Sequence, residues 1–352
     1  MKEDILIARY KQHRSRHRLY IAGILLFLMV ASVTALIIGG SMLGWNEVYK
    51  VLEGSSSEAS RLILLNVRLP RVMAALLCGA ALAVSGSVMQ ILLRNPLASP
   101  YTLGISNAAA FGAAVAIVFM GAGSAVQKSG DMFIVNNPYL VTISAFAGSL
   151  IGLSLILMIA KVRKATPETI ILSGVIISSL FGAGIAAMQY VANNVQLASI
   201  VFWNFGDLGK SDWTKLFYVS VVTIPMIIYF YMNRWNYKAL RAGDEYAASL
   251  GVNAERLRIT GMIITALSTA VVVSFFGVIA FVGLVVPHIV RKIIGTNEEF
   301  LIPASALFGG MFLVLCDMAA RLVLSPVIIP VGILTSFLGV PVFLFFLIRK
   351  NM

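Results

Sequence analysis

The chain has 352 residues, of which 59% are hydrophobic and only 12% charged, and its mean hydropathy is +0.91. Soluble domains carry about 25% charged residues, so this composition excludes a soluble protein. Apolar runs of about 20 residues recur along the chain, each long enough to cross a hydrocarbon core of about 30 Å. Their continuity excludes a membrane β-barrel, whose strands alternate. The sequence therefore predicts an all-α, polytopic membrane protein.

The net charge of +12 is spread over the segments between apolar runs and is not gathered in one basic domain. Such a distribution reports membrane topology and not nucleic-acid binding. The two cysteines, Cys78 and Cys316, each lie inside an apolar run. They offer no disulfide framework and no CxxC metal pattern.

Residues 1–18 form a polar, basic segment before the first apolar run, which extends from Leu19 to Leu43. This run is too long for the core of a secretory signal, and no small-x-small cleavage site stands clear after it. We expect a cytoplasmic basic tail at residues 1–18 and a single transmembrane domain at residues 19–350.

Ten spans account for the apolar runs. The eighth is short, because residues 259–294 are apolar for too long to form one helix, and Gly283 and Pro287 are expected to break them. Whether the 281–294 segment crosses the whole membrane stays open from the sequence. The ten predicted spans are about 20–42, 69–93, 102–122, 138–160, 168–191, 214–232, 259–279, 281–294, 301–323 and 330–348.

The basic residues test this arrangement, because the cytoplasmic segments of membrane proteins carry the excess of Lys and Arg. With the N-terminus inside, 19 of the 27 basic residues fall on the cytoplasmic side, as that rule requires. Both termini and the polar stretch 236–258 then lie inside. The residues left outside are Lys50, Arg61, Arg68, Arg71, Lys128, Lys210, Lys215 and Arg321.

Small residues recur within several spans at spacings that let helix backbones approach closely. The pattern predicts a tightly packed bundle rather than a ligand site. The sets are Gly79, Ala83 and Gly86; Gly148 and Gly152; and Gly182 and Ala186.

Residues 236–258 form the longest polar interval between two apolar blocks, and two glycines, Gly243 and Gly251, interrupt its amphipathic pattern. The interval predicts two short helices joined by a turn at the cytoplasmic face. A plain solvated connector is the alternative, but such a connector rarely needs an apolar face. We expect this face to bury against a docked soluble partner. Its apolar members are Ala239, Leu240, Ala247, Leu250 and Leu257.

Two strings imitate nucleotide-binding motifs without their context. Gly182 to Ala187 matches GxGxxA but lies inside a span, and Gly209-Lys210-Ser211 lacks the first P-loop glycine because position 204 is Asn204. No Ser-His-Asp set and no HExxH are present, so no enzyme is predicted. His288 has no second metal ligand nearby and is expected to be a structural residue at a helix break.

The predicted membrane interior is nearly free of charge. Asp317 is the exception, and Arg321 lies four residues later, where the two can pair along one helix face. Ion-coupled transporters usually hold acidic or histidine groups deep in the bundle, and none is predicted at mid-depth here. Energy for any transport is therefore expected to come from outside this chain, through the 236–258 stretch.

Several strings together resemble one family. They are Arg68-Leu69-Pro70-Arg71 with Gly79 to Gly86, Gln90 with Arg94 to Pro100 and Leu103 to Ser106, Phe281 to Arg291, Asp317 to Arg321, Pro330 to Thr335, and Gly339 to Phe343. Jointly they are similar to the FecCD-type permeases, the membrane subunits of bacterial ABC importers for iron–siderophores, haem and vitamin B12. The resemblance covers about residues 66–348.

The resemblance implies the vitamin B12/siderophore (type II) ABC importer permease fold, with about ten transmembrane helices, in the bacterial cytoplasmic membrane. It implies partners: a second permease subunit, identical or paralogous, two ATPase subunits, and an extracytoplasmic substrate-binding protein. ATP and Mg²⁺ would bind the partner ATPase, so this chain would hold no cofactor and no catalytic residue.

The resemblance also implies two functional surfaces. One is similar to the family's coupling helices, which dock into a cleft of the ATPase: Gly243, Asp244, Glu245, Ala247, Ala248, Leu250 and Gly251. The other aligns with outward arginines that meet acidic residues on the binding protein: Arg68, Arg71 and Arg321. Arginines at the end of a span alternatively reach lipid headgroups, and Arg321 is alternatively held by Asp317.

The expected function is the transmembrane permease of an ATP-driven importer that translocates an iron–siderophore or related bulky chelate. Vitamin B12 and haem stay open as ligands. A stand-alone secondary transporter or channel is the rival from another class. The predicted lack of acids at mid-membrane and the amphipathic 236–258 stretch argue against that rival.

Overall fold

The computed structural model describes residues 2–38, 44–122, 137–163 and 166–349. Some residues used above lie outside these ranges: Lys128, Lys164 and Lys350 from the charge count, and the last residues of the first predicted span.

All regular structure in the described ranges is helical. The helices are α1 Lys2–Ile37, α2 Trp45–Glu53, α3 Glu58–Leu62, α4 Leu69–Leu92, α5 Ile105–Phe119, α6 Pro138–Arg163, α7 Pro167–Val191, α8 Asn194–Asn204, α9 Trp213–Met232, α10 Arg234–Ala242, α11 Asp244–Ser249, α12 Ala254–Phe276, α13 Val282–Ile294, α14 Glu298–Leu322 and α15 Val331–Arg349.

The helix lengths match a membrane protein with multiple spans. Among the described residues, seven helices are long and apolar enough to cross a membrane, and α4 forms one of them together with α3 and the π-helical turn Ile63–Arg68. Three shorter helices, α5, α13 and α15, stand where further spans are predicted. Each of the ten predicted spans therefore has a helix, and the chain is a multi-pass membrane protein.

The core of the bundle surrounds α4, which packs against α9, α12, α13 and α14 and is buried along nearly its whole length. Glycine makes this possible, because a Cβ atom on Gly79 would lie only 2.2 Å from the carbonyl oxygen of Gly309 on α14. A Cβ atom on Gly86 would lie 1.7 Å from the carbonyl oxygen of Gly283 on α13. Backbones thus touch directly at two levels of α4, as small residues in membrane helices allow.

A second close contact joins α5 and α6. A Cβ atom on Gly148 would lie 2.3 Å from the carbonyl oxygen of Ala108, and one on Gly152 would lie 2.6 Å from the Ala108 methyl carbon. The predicted packing role is confirmed at these positions. Gly182 has no such contact within this chain, since an added Cβ atom would meet no described atom within 4 Å, so its packing role stays a prediction.

The break between α12 and α13 does not lie at the two predicted residues. Pro287 and Gly283 are both inside α13, and the helical path is interrupted at Gly277 to Phe281, whose backbones have φ of 76° and 65°. A Cβ atom on Gly277 would lie 2.3 Å from the carbonyl oxygen of Trp203, so close packing demands this glycine. With 13 residues, α13 extends for only about 20 Å and is too short by itself to cross the membrane core.

Three helical features were not predicted. The basic segment 1–18 is continuous with the first span in α1, and two short helices, α2 and α8, occupy connecting segments. The α8 helix begins with a capping box, in which Asn193 and Gln196 satisfy each other's backbone N–H groups. Gln196 also donates to the carbonyl oxygens of Ile117 and Val118, which end α5.

The two ends of the bundle are chemically distinct, and α4 connects them. Arg71 lies in its first turn, at the end that we name the α2 end, and Arg94 follows its last turn, at the end that we name the α10–α11 end. A helix of 24 residues is about 36 Å long. The two clusters of charge described next are separated by about that distance.

Candidate functional site

Two short helices, α10 and α11, stand at one end of the bundle, as the 236–258 stretch predicts. Gly243 separates the two helices and has a φ of 139°. Gly251, which follows α11, has a φ of 77°. Neither glycine has a described atom within 4 Å of an added Cβ atom, so backbone conformation and not crowding is what favours glycine there.

Most of the predicted apolar face of these helices packs on this chain and not on a partner. Leu240 and Ala247 are fully buried. Tyr237, also on α10, is buried with its ring against that of Phe230. Tyr246 on α11 and Leu250 just after it are 53% and 58% exposed, and Ala248 is exposed as well, so this part of the face leaves apolar surface free. The expectation that this face buries against a partner is therefore wrong for Leu240 and Ala247, and among its five predicted members Leu250 is the one that is exposed.

Asp244, the first residue of α11, ties that helix to two spans. Its carboxylate accepts from Arg94, which follows α4, and from Nη2 of Arg258 on α12 at 3.1 and 3.2 Å. The Arg258 guanidinium is buried and its Nε donates to the carbonyl oxygen of Leu92, at 3.0 Å. One carboxylate thus joins α11, α12 and the end of α4 through two arginines, Arg94 and Arg258, that were not among the predicted coupling residues.

Arg94 adopts a backbone conformation that usually belongs to glycine. Its φ is 44°. Arg94 follows the C-cap residue of α4, a position where helices commonly end on a glycine in the left-handed conformation. The N–H of Asn95 donates back to the carbonyl oxygen of Gln90, so the left-handed residue closes the helix end. Glycine would adopt this conformation with less strain but could not contact Asp244, so the arginine side chain gives a reason for the strain.

Further polar contacts fix the same end of the bundle. Arg241 on α10 contacts the buried carboxylate of Glu298 at 2.8 Å and donates to the carbonyl oxygen of Thr296. Arg291 on α13 donates to Oε1 of Gln90 on α4. Arg94, Arg241 and Arg291 line one open cavity of about 250 Å³, so three guanidinium groups face the same space.

At the α2 end, a buried carboxylate sits between two arginines. Asp317 Oδ1 accepts from Nε of Arg71 at 2.8 Å, and Asp317 Oδ2 lies 3.1 Å from Nε of Arg321. Asp317 is 1% exposed and both arginine side chains are buried. The predicted pairing of Asp317 with Arg321 is confirmed. The contact of Asp317 with Arg71 on α4 was not predicted, although acidic residues inside membrane spans usually pair with a cationic side chain.

Arg68 and Arg321 also bind the carboxyl end of α1. Arg68 Nη1 donates to the carbonyl oxygens of Leu36 and Ile37 at 2.7 and 2.6 Å. Arg321 Nη1 donates to those of Ala35 and Ile38 at 3.0 and 2.6 Å. The last carbonyls of a helix lack partners within it and carry its negative dipole end, so two guanidinium groups satisfy and neutralise them.

The three arginines with a predicted docking role therefore lie together and are buried, each no more than 7% exposed. The chain itself supplies partners for all three. Their contact with a binding protein stays a prediction, and the structure adds a role within the chain for all three arginines.

Replacing Asp317 with asparagine is expected to destabilise the protein by about 3–5 kcal/mol, because Arg71 and Arg321 would stay buried without a countercharge. Thermal unfolding of the purified protein in detergent measures the loss. The matched control is Asp212→Asn, since Asp212 pairs with Lys215 while its side chain is 50% exposed, and asparagine keeps the N-cap of α9. That change should cost less than about 1 kcal/mol, and equal losses in both variants would contradict the assignment.

Metal-binding groups are not gathered anywhere in the described ranges: no cluster of three or more His, Cys, Asp or Glu side chains is found there. The ring of His288 lies edge-on to Phe343, with centroids 6.5 Å apart. Its predicted position at a helix break is wrong, since it lies inside α13.

Comparison with known proteins defines the class. The chain is 34% identical to the hemin transport system permease protein of Yersinia pestis over 96% of its length and 98% of that protein's. It is 32% identical to the vitamin B12 import system permease protein of Vibrio parahaemolyticus, covering 92% and 94%. It is 50% identical to a "Putative ABC transporter permease protein" of Methanocaldococcus jannaschii, covering 97% of each.

A solved structure supports the same conclusion. The fold superposes with a TM-score of 0.81, at 30% identity, on "An inward-facing conformation of a putative metal-chelate type ABC transporter", covering 95% of this chain and 99% of that one. Fold and relatives together define an ABC transporter permease. The chain belongs to the FecCD transport family, whose sequence model matches residues 5–349.

Proposed function

We propose that this chain is the permease subunit of an ATP-driven importer, and that it translocates an iron–siderophore or a related bulky chelate handed over by an extracytoplasmic binding protein. The relatives support the chelate class, because their names include hemin, vitamin B12 and iron chelatin transport. Haem and vitamin B12 remain alternative ligands for this chain, since all three are bulky chelates.

The observation that carries the proposal is the attachment of α11 to the spans through Asp244. A partner that moves α11 pulls directly on Arg258 in α12 and on Arg94 at the end of α4, the most buried helix of the bundle. The free apolar side chains of α11 supply a surface for that partner. The proposed contact residues are Gly243, Asp244, Glu245, Ala247, Ala248, Leu250 and Gly251.

The proposed partner at this surface is an ATPase that binds ATP and Mg²⁺, so that no cofactor belongs to this chain. Two ATPase subunits and a second permease, a copy or a paralogue, complete the importer in the cytoplasmic membrane. The α10–α11 end and both termini then face the cytosol, as the distribution of basic residues favours.

The proposed docking surface for the binding protein is at the opposite end. Arg68, Arg71 and Arg321 carry three positive charges around one carboxylate, Asp317. The excess positive charge attracts acidic groups of a docking protein even where the arginines are covered, because fields are poorly screened in a low-dielectric interior.

Uptake into proteoliposomes tests the proposal. The purified chain, reconstituted with a partner ATPase and an extracytoplasmic binding protein, should import a ferric siderophore only when ATP and the binding protein are both supplied. Omission of either component, or a non-hydrolysable ATP analogue, should reduce uptake to the level of empty liposomes. Haem and vitamin B12 are assayed in parallel to choose among the ligands.

A stand-alone secondary transporter is the competing function, and the same liposomes distinguish it. It requires a proton or sodium gradient and neither ATP nor a partner. Gradient-driven uptake by the chain alone would therefore refute the proposal. In the described spans the charged side chains lie toward the helix ends, as with Arg71, Asp317 and Glu298, and mid-depth acids that serve ion coupling are not among them.

A further inference from the structure

A cavity at the α10–α11 end is separate from the contacts that hold α11. It has a volume of about 410 Å³ and lies between the end of α9, the start of α10 and the first two turns of α12. Six of its nine lining residues carry polar side chains: Tyr229, Asn233, Asn236, Asn253, Arg256 and Thr260. No acidic side chain lines it, and the nearest acidic neighbour in sequence, Glu255, lines a different cavity.

The cavity opens beside an exposed apolar surface of α9. Along α9, apolar side chains at spacings of three and four residues are exposed in a single stripe: Phe217, Val221, Ile224, Ile228 and Tyr231. The stripe leads toward the helix end where Asn233 lines the cavity. A continuous apolar stripe on a spanning helix is the surface that acyl chains cover.

Aromatic and basic side chains mark this level as the membrane–water interface. The Arg234 guanidinium lies 4.5 Å from the ring centroid of Tyr231 and 5.6 Å from that of Trp235, and the Lys238 ammonium lies 5.2 Å from Trp235. Tyr and Trp concentrate where headgroups begin, and Lys and Arg beside them favour anionic lipids. The cavity is therefore at headgroup depth.

Arg256 gives the cavity its charge. Its side chain is exposed, and it forms no ion pair with the acidic residues of the described chain, whereas Arg258, one half-turn away, contacts Asp244. Asn253 caps α12 beside it by accepting from the Arg256 N–H at 2.8 Å. A free guanidinium, amide side chains and a hydroxyl around a polar space suit a phosphate oxygen.

We propose that this cavity binds the phosphate headgroup of an anionic phospholipid from the cytoplasmic leaflet. The assignment of the leaflet rests on the proposed function. A lipid suits the site better than the ATPase, because the lining extends along α12 from Asn253 to Thr260, about 10 Å toward the bilayer. A soluble partner reaches only the mouth. Gly251, at the edge of the proposed ATPase surface, lines the cavity together with Val252, so the lipid lies against the turn that follows α11.

Native mass spectrometry of the purified full chain, without ATPase or ATP, tests the proposal. In equimolar phosphatidylglycerol and phosphatidylcholine, the wild type should retain phosphatidylglycerol selectively. Arg256→Gln should lower that retention about fivefold, as expected for the loss of one basic side chain near an anionic headgroup. The control Arg61→Gln removes an exposed arginine outside the cavity and should leave the retention unchanged. Equal thermal unfolding of all three proteins in phosphatidylcholine shows that folding is preserved.

Three outcomes would overturn the assignment. Arg256→Gln could retain phosphatidylglycerol as the wild type does. Glycerol phosphate, the soluble headgroup, could stabilise the protein and displace the lipid, which would make this a free-phosphate site. Arg256→Gln could leave lipid retention intact but weaken binding of the ATPase, which would assign the cavity to that partner. None of these results depends on ATP-driven uptake, so they are distinguishable from a failure of the proposed function.

Discussion

Replacing Asp244 with alanine is expected to reduce ATP-driven uptake by tenfold or more, while the protein still folds. The change removes the shared carboxylate, so the buried Arg258 loses its contact with α11 but keeps its hydrogen bond to the carbonyl oxygen of Leu92, and α11 loses its side-chain contacts with Arg94 and Arg258. We expect a stability loss of about 1–3 kcal/mol, smaller than for a fully buried pair because the Asp244 side chain is 46% exposed. Uptake and ATP hydrolysis are measured in the same proteoliposomes.

The ratio of the two rates distinguishes coupling from folding. If Asp244 transmits motion, ATP hydrolysis continues in Asp244→Ala while uptake is lost. The control Glu255→Gln removes an exposed carboxylate from the first turn of α12 that forms no ion pair with described residues, and it should behave as wild type. Equal loss of uptake and hydrolysis in Asp244→Ala would instead assign Asp244 to ATPase docking or assembly.

Replacing Gly86 with alanine is expected to have the largest effect on folding of any single methyl group added to α4. The new Cβ atom would lie 1.7 Å from the carbonyl oxygen of Gly283, so α4 and α13 would have to separate. Overpacking of this kind costs about 1–3 kcal/mol and more where backbone must move. The temperature of thermal unfolding in detergent should fall by several degrees, and Gly86→Leu should give no folded protein.

Gly182 offers the matched control, because it is also a glycine inside a spanning helix. An added Cβ atom there meets nothing described within 4 Å, and alanine is the better helix former by about 1 kcal/mol. Gly182→Ala should unfold at the wild-type temperature or above it. A similar loss of stability in both variants would show that glycine flexibility, and not the contact with Gly283, is what α4 requires.

Pro287 explains why α13 approaches α4 at this point. Proline has no N–H, so the carbonyl oxygen of Gly283, four residues earlier, receives no helical hydrogen bond from it. That oxygen lies over Gly86, whose missing side chain leaves room for it and for a weak Cα–H···O contact. The sequence rule that a proline breaks a helix failed here because the unpaired carbonyl finds a neighbour on another span.

The spans and the two short helices could be predicted because their signals are local. Runs of apolar residues give the spans, and the periodicity around Gly243 and Gly251 gives α10 and α11. Contacts between distant residues could not be predicted in this way. Arg71 and Asp317 are 246 residues apart in sequence, and only the packing of α4 on α14 brings them together.

The position of the interruption between α12 and α13 was also beyond local reasoning. Glycine is required at position 277 because any side chain there would clash with the carbonyl oxygen of Trp203, and the residues near Gly277 in sequence give no sign of this contact. The α8 helix, in contrast, had a readable start in Asn193 and Gln196, the spacing of a capping box. The free surface of α11 was overestimated because amphipathic periodicity shows that a face is buried and not what covers it.

The contacts of α1 have a consequence for the order in which the helices assemble during synthesis. Its middle is mostly exposed, while Arg14 contacts Glu299 at one end and Arg321 holds Ala35 at the other. These partners are 285 and 286 residues further along the chain. During synthesis the first helix enters the bilayer long before either partner has left the ribosome. The contact of Arg68 with Leu36 and Ile37 can form early in synthesis, whereas the two contacts with α14 form only when that late helix inserts.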